Sequence, residues 1–94
     1  ILAGKPLMID NNIDKFTIYG HQACGFCRQS QIALQANSIQ FDYIDINKEN
    51  INLDDLSQKV GKPVNTVPQI FYNDLYLGGY QALMEYLRDR DMIN

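Results

Sequence analysis

The apolar positions of this chain switch between a period of two and a period near 3.6, and the switches predict its elements. Lys15-Phe16-Thr17-Ile18-Tyr19 reads as a strand, rich in aromatic and β-branched residues and closed by Gly20. Beyond Cys24-Gly25-Phe26-Cys27 a mixed stretch runs to Ala36. Ile32, Ala33 and Ala36 recur there at helical spacing, with Phe26 joining their stripe from the first turn, and Asn37-Ser38 ends the pattern. Ile39-Gln40-Phe41-Asp42-Tyr43 alternates like a strand, and Ile44-Asp45-Ile46 continues it. Asn52 suits a helix N-cap, with Asp54 and Asp55 in a first turn where the backbone dipole favours anions. That helix should run to about Val60 and stop at Gly61, with Pro63 beyond. Gln69-Ile70-Phe71-Tyr72 is a third strand, Asn73-Asp74 a two-residue hairpin turn, and Leu75-Tyr76-Leu77 the returning strand. Gly78-Gly79 leads into a last helix, whose Tyr80, Leu83, Met84 and Leu87 fall at i, i+3, i+4 and i+7. Arg88 and Arg90 sit near its C-terminal end, where cations are favoured.

The predicted order is β-α-β-α-β-β-α, an α/β chain. The first two strands, joined through a helix, should be parallel with a right-handed crossover, and the last two should form an antiparallel hairpin. With 94 residues and 46% hydrophobic content, this is one domain with one modest core. A formal net charge of −3 argues against a nucleic-acid partner. No apolar run approaches the length of a membrane span. Residues 1–13 are set aside as an N-terminal extension or a cloning remnant, with Met8 a candidate start, and 14–94 are taken as the domain.

The chemistry concentrates at Cys24 and Cys27. A pair three positions apart closes too small a loop to be an efficient structural staple. In this context, after a strand and at the opening of a helix, the spacing is that of a redox site in a cytoplasmic protein. Free amides and the dipole at the helix start favour a thiolate at Cys24, below the ordinary thiol pKa of ~8.5. That thiolate attacks a disulfide sulfur, and Cys27, one turn on, can resolve the mixed disulfide. Zinc is disfavoured because His21 and the two cysteines leave a tetrahedral set short. Thr66-Val67-Pro68 precedes the third strand, where a proline is allowed at the first residue. Gly78-Gly79 permits positive φ before amides that can bind a carboxylate. Tyr43, Tyr72, Tyr76 and Tyr86 read as core or amphipathic surface and are assigned no chemistry.

Together, Cys-x-x-Cys after Ile18-Tyr19-Gly20, Thr66-Val67-Pro68-Gln69-Ile70-Phe71 and Leu77-Gly78-Gly79-Tyr80 resemble the glutaredoxin family from about Lys15 to Arg90. The stretch Gly61-Lys62-Pro63-Val64-Asn65 is most similar to the bacterial dithiol type that serves ribonucleotide reductase. The resemblance implies a thioredoxin-like fold: a four-stranded mixed sheet flanked by about three helices. It implies a monomeric, glutathione-dependent reductase of protein disulfides and glutathione mixed disulfides, with Cys24 as nucleophile and Cys27 as resolving thiol. Val67 would pair through its backbone with the cysteinyl part of glutathione, beside Thr66 and a cis Pro68. Gly79, Tyr80 and Gln81 would hold the γ-glutamyl end, and Phe26, in place of the usual Tyr, would line the groove. His21 stands where the family usually has a Lys or Arg for the glycyl carboxylate, and Lys62 and Arg28 are further candidates for local positive charge. Gly25 departs from the usual Pro.

Two other readings compete. The motif differs by one residue from the Cys-Gly-Phe-Ser of cluster-carrying glutaredoxins. It could therefore ligate a 2Fe–2S cluster through Cys24 and glutathione in a dimer, although Cys27 is retained and position 21 is not Lys. A thioredoxin would usually have Pro where Phe26 stands, and would lack the Gly78-Gly79 element.

Overall fold

The computed structural model describes residues 14–93, so the proposed N-terminal extension lies outside it. Its elements are β1 (Phe16–Gly20), α1 (Gly25–Ala36), β2 (Phe41–Asp45), α2 (Leu53–Val60), β3 (Gln69–Tyr72), β4 (Leu75–Gly78) and α3 (Tyr80–Asp89). The four strands form one mixed sheet in the order β2-β1-β3-β4. β1 and β2 are parallel, with Phe16 opposite Phe41 and Gly20 opposite Asp45. β3 runs antiparallel to both β1 and β4. Among the described residues no helix is long and apolar enough to cross a membrane.

The strand alternation sorts side chains onto two faces. Phe16, Ile18 and Ile70 bury against Leu34 of α1 and Leu83 and Leu87 of α3. Tyr19 and Phe71 point to the opposite face, where they pack with Ile46 and Leu56 of α2. The sheet therefore separates α1 and α3 from α2.

The local signals read from the sequence have direct physical counterparts. Asn52 accepts from the Asp55 N–H at 2.8 Å while Asp55 accepts from the Asn52 N–H at 3.1 Å, a complete capping box. Gly61 ends α2 in the left-handed region at φ 95°. Asn73 takes positive φ in the β3–β4 turn, and its amide ties Lys15 and Asp14 to the hairpin.

Some boundaries differ. Gly20 lies within β1 rather than closing it, Ile39, Gln40 and Ile46 fall outside β2, and Gly78 extends β4. The larger correction is the inner face of α1. Phe26 and Ile32 are 58% and 54% exposed, and the buried positions are Cys27, Ser30 and Leu34. Helical spacing fixes which residues share a face but not which face meets the sheet. Ser30 tolerates burial because its hydroxyl donates to the Phe26 carbonyl at 2.8 Å, and the small Cys27 fits where a larger residue would not.

Candidate active site

Both cysteines sit at the start of α1, above the C-terminal end of β1. Cys24 is the N-cap, with extended backbone (φ −97°, ψ 114°), and its sulfur accepts from the Cys27 N–H at 3.0 Å. This sulfur takes the place of a capping oxygen. The same contact that satisfies a free helix amide stabilises negative charge on Cys24. Cys27 is fully buried, its Cα lies 5.2 Å from that of Cys24, and the two sulfurs are paired as a disulfide. One sulfur is thus open to a substrate and the other is held beneath it.

Gly20 makes the space for Cys27. A Cβ at Gly20 would lie 2.5 Å from Cys27 Sγ and 2.7 Å from the Tyr43 hydroxyl. Tyr43 is a residue that sequence reasoning missed. Its hydroxyl donates to the His21 carbonyl at 3.1 Å, and that carbonyl also accepts from the Cys24 N–H at 3.3 Å. The turn carrying Cys24 is therefore tied to the neighbouring strand. Burial, with the Asp45 carboxylate adding to it, raises the Tyr43 pKa above the ordinary phenol value, so the hydroxyl remains a donor. The signal was the strand alternation of 41–45, but nothing in the pattern said which loop Tyr43 would reach.

Across from Cys24 stands the segment before β3. The Val67–Pro68 peptide is cis, and the Val67 carbonyl oxygen lies 3.6 Å from Cys24 Sγ. Ser57 anchors the approach to this segment by accepting from the Val64 N–H at 2.9 Å. Buried Gln69 holds its far end: it donates to the Thr66 carbonyl at 3.0 Å and accepts from the Tyr76 hydroxyl at 2.5 Å.

Two open grooves meet at Thr66 and Val67. The one of about 930 Å³ brings together seven of the eight residues expected at a ligand site: Phe26, Thr66, Val67, Pro68, Gly79, Tyr80 and Gln81. Phe26 stacks on Tyr80 with ring centroids 5.6 Å apart, which accounts for its position outside the core. The eighth, His21, lines the other groove, of about 790 Å³, with Cys24, Thr66 and Val67. Lys62 stands over the ring of Tyr76, which lines the first groove. Arg28 shares a smaller depression with His21 and Cys24. Of the two glycines before α3 only Gly78 has positive φ, at 128°; Gly79 is extended and any residue could adopt its conformation. Its closeness to the Pro68 carbonyl, 3.6 Å from a Cβ, is ordinary contact.

The glutaredoxin family model matches residues 16–77. The chain belongs to the glutaredoxin family. It is 35% identical over 77 residues to glutaredoxin 1 of Escherichia coli, covering 77% of this chain and 91% of that protein. Glutaredoxin of Haemophilus influenzae is 43% identical over 76 residues, covering 72% and 87%. The solution structure of oxidised E. coli glutaredoxin superposes with a TM-score of 0.71 at 35% identity, covering 80% of this chain and 94% of that one. The thioredoxin-like architecture and the family expected from the sequence are both borne out. This glutaredoxin is a glutathione-dependent thiol–disulfide oxidoreductase.

The Gly25 departure is open to test. Gly25 is the first residue of α1, a Cβ there would meet nothing within 4 Å, and Cys24 before it has the extended backbone that precedes proline readily. Gly25→Pro should therefore stabilise this glutaredoxin by about 0.5–1 kcal/mol, by restricting the unfolded chain. Thermal unfolding should show a midpoint raised by about 2–8 °C; a lowered midpoint would mean that the turn needs glycine.

Proposed function

We propose that Cys24 is the nucleophile and Cys27 the resolving thiol of a dithiol cycle recharged by glutathione. The observation that carries this is the Cys24 sulfur itself: capped by the Cys27 amide, 3.6 Å from the Val67 carbonyl, and flanked by the two grooves. The Cys24 thiolate attacks a protein disulfide, forming a mixed disulfide and releasing one substrate thiolate. Cys27 then attacks Cys24 Sγ, releasing the second substrate thiolate and closing the Cys24–Cys27 disulfide. A glutathione thiolate attacks Cys24 Sγ and frees Cys27. A second attacks the glutathionyl sulfur, leaving as oxidised glutathione and restoring the Cys24 thiolate.

In this reading glutathione lies along the larger groove. Its cysteinyl backbone pairs with Val67 beside Thr66 and Pro68, its γ-glutamyl end meets Gly79, Tyr80 and Gln81, and Phe26 covers the thiol. His21 serves the glycyl carboxylate from the adjoining groove. The reading is of a cytoplasmic monomer acting without a metal, with ribonucleotide reductase as a protein substrate.

The test is NADPH consumption, coupled through glutathione reductase, with a small glutathione mixed disulfide as substrate. Turnover should require glutathione and should not be sustained by a flavoprotein thioredoxin reductase in its place. Catalysis supported only by the latter would reject the glutathione site. Oxidised ribonucleotide reductase, used next, should also be reduced; failure there with the small disulfide still consumed would remove that partner alone.

A further inference from the structure

Cys27 has to act as a nucleophile from a place that disfavours it. Its sulfur is fully buried, and burial without a donor penalises a thiolate. The Cys27 N–H stabilises the other sulfur, since it donates to Cys24 Sγ. Ser30, the buried hydroxyl on the same helix, donates to the Phe26 carbonyl at 2.8 Å. One polar hydrogen beside Cys27 is less firmly committed, that of Tyr43. A Cβ at Gly20 would lie 2.5 Å from Cys27 Sγ and 2.7 Å from the Tyr43 hydroxyl. The sulfur and the hydroxyl therefore approach one point from two sides, and glycine leaves that point empty.

In the disulfide form the hydroxyl donates to the His21 carbonyl at 3.1 Å. It is replaceable there. The same carbonyl accepts from the Cys24 N–H at 3.3 Å, so it stays paired when the hydroxyl turns away. A hydroxyl turns by rotation about its C–O bond alone. Burial and the Asp45 carboxylate keep this one protonated, and so able to donate.

We propose that Tyr43 donates a hydrogen bond to the Cys27 thiolate in the reduced protein and is a catalytic residue of the resolving step; this rests on the Cys24 and Cys27 roles proposed above. The substrate thiolate expelled by Cys24 takes the Cys27 proton, and the Tyr43 hydroxyl turns from the His21 carbonyl to the sulfur. Cys27 then attacks Cys24 Sγ, the bond from Cys24 to the substrate sulfur breaks, and that sulfur leaves as a thiolate. In the closed disulfide the Cys27 sulfur is neutral, and the hydroxyl returns to the carbonyl.

The test mixes reduced protein with a stoichiometric amount of the glutathione–thionitrobenzoate disulfide and reads two steps. Cys24 attacks the glutathionyl sulfur and expels the coloured thionitrobenzoate anion. Cys27 then loses its proton to the buffer, attacks Cys24 Sγ and releases glutathione. Acid quenching and mass spectrometry follow that release as loss of the protein–glutathione adduct. Tyr43→Phe keeps the ring that packs against the core. It should slow the second step relative to the first by about ten-fold or more, the scale of a hydrogen bond to a charged group. A wild-type ratio of the two rates, whether both fall or neither does, overturns the proposal. Gly20→Ala blocks the contact and spares the hydroxyl, so an unslowed second step in that variant overturns it too. Thionitrobenzoate release by Cys24→Ser, or a glutathione adduct on Cys27, overturns the nucleophile reading instead.

Discussion

Cys24→Ser should bring turnover of every disulfide down to the uncatalysed rate, a loss on the order of a thousand-fold or more, while Cys27→Ser should divide the activities. A serine hydroxyl stays protonated at neutral pH, and the helix amide that stabilises a thiolate cannot make it a comparable nucleophile. Cys27→Ser leaves that stabilisation in place, because the donor to Cys24 Sγ is the Cys27 backbone N–H and not its side chain. The variant can still take glutathione from a mixed disulfide, a route that needs one thiol. It cannot close the Cys24–Cys27 disulfide, so reduction of protein disulfides by the dithiol route should vanish. Both assays, run on both variants with circular dichroism to establish folding, decide the matter. Loss of both activities in folded Cys27→Ser would refute the division of roles.

The second large effect is expected where no reacting atom is touched. Gly20→Ala adds a methyl group at a point 2.5 Å from Cys27 Sγ, 3.0 Å from Cys27 Cβ and 2.7 Å from the Tyr43 hydroxyl. Cys27 is fully buried and cannot swing out into solvent. Tyr43 can yield only by giving up its hydrogen bond to the His21 carbonyl, which steadies the turn carrying Cys24. Overpacking of this kind costs about 1–3 kcal/mol. Denaturant unfolding should therefore show Gly20→Ala less stable by about that amount. Dithiol turnover should fall about ten-fold or more as Cys27 is pushed off its line to Cys24, with the one-thiol route losing less. Adding Tyr43→Phe removes one of the two obstructing groups and should return part of the lost stability. A Gly20→Ala protein with wild-type stability and dithiol turnover would mean that the cavity beside Cys27 is not needed.

Stability elsewhere follows features legible from neighbouring residues. The Asn52–Asp55 capping box, the Gly61 stop and the Asn73-Asp74 hairpin each act over a few positions, so their residues could be read directly. The same holds for the Cys24–Cys27 pair, which is legible as a dithiol from its spacing at a helix start. The order of the elements followed from hydrophobic period, and the parallel β1–β2 pair from the helix between them.

What the chain order alone determined about this glutaredoxin is thus its alternation of strand and helix, its reactive pair and the identity of most groove residues. Tertiary structure decided how they face one another. It turned Cys27, Ser30 and Leu34 of α1 inward instead of Ile32 and Phe26, because the sheet and α3 select one arc of the helix. It brought Tyr43 to the His21 carbonyl across 22 positions and Val67 to Cys24 across 43. It separated His21 from the groove that holds Gly79 and Tyr80. Period and spacing describe contacts within an element or one turn beyond it. Contacts between elements depend on the strand order β2-β1-β3-β4 and its register, which many distant residues set together.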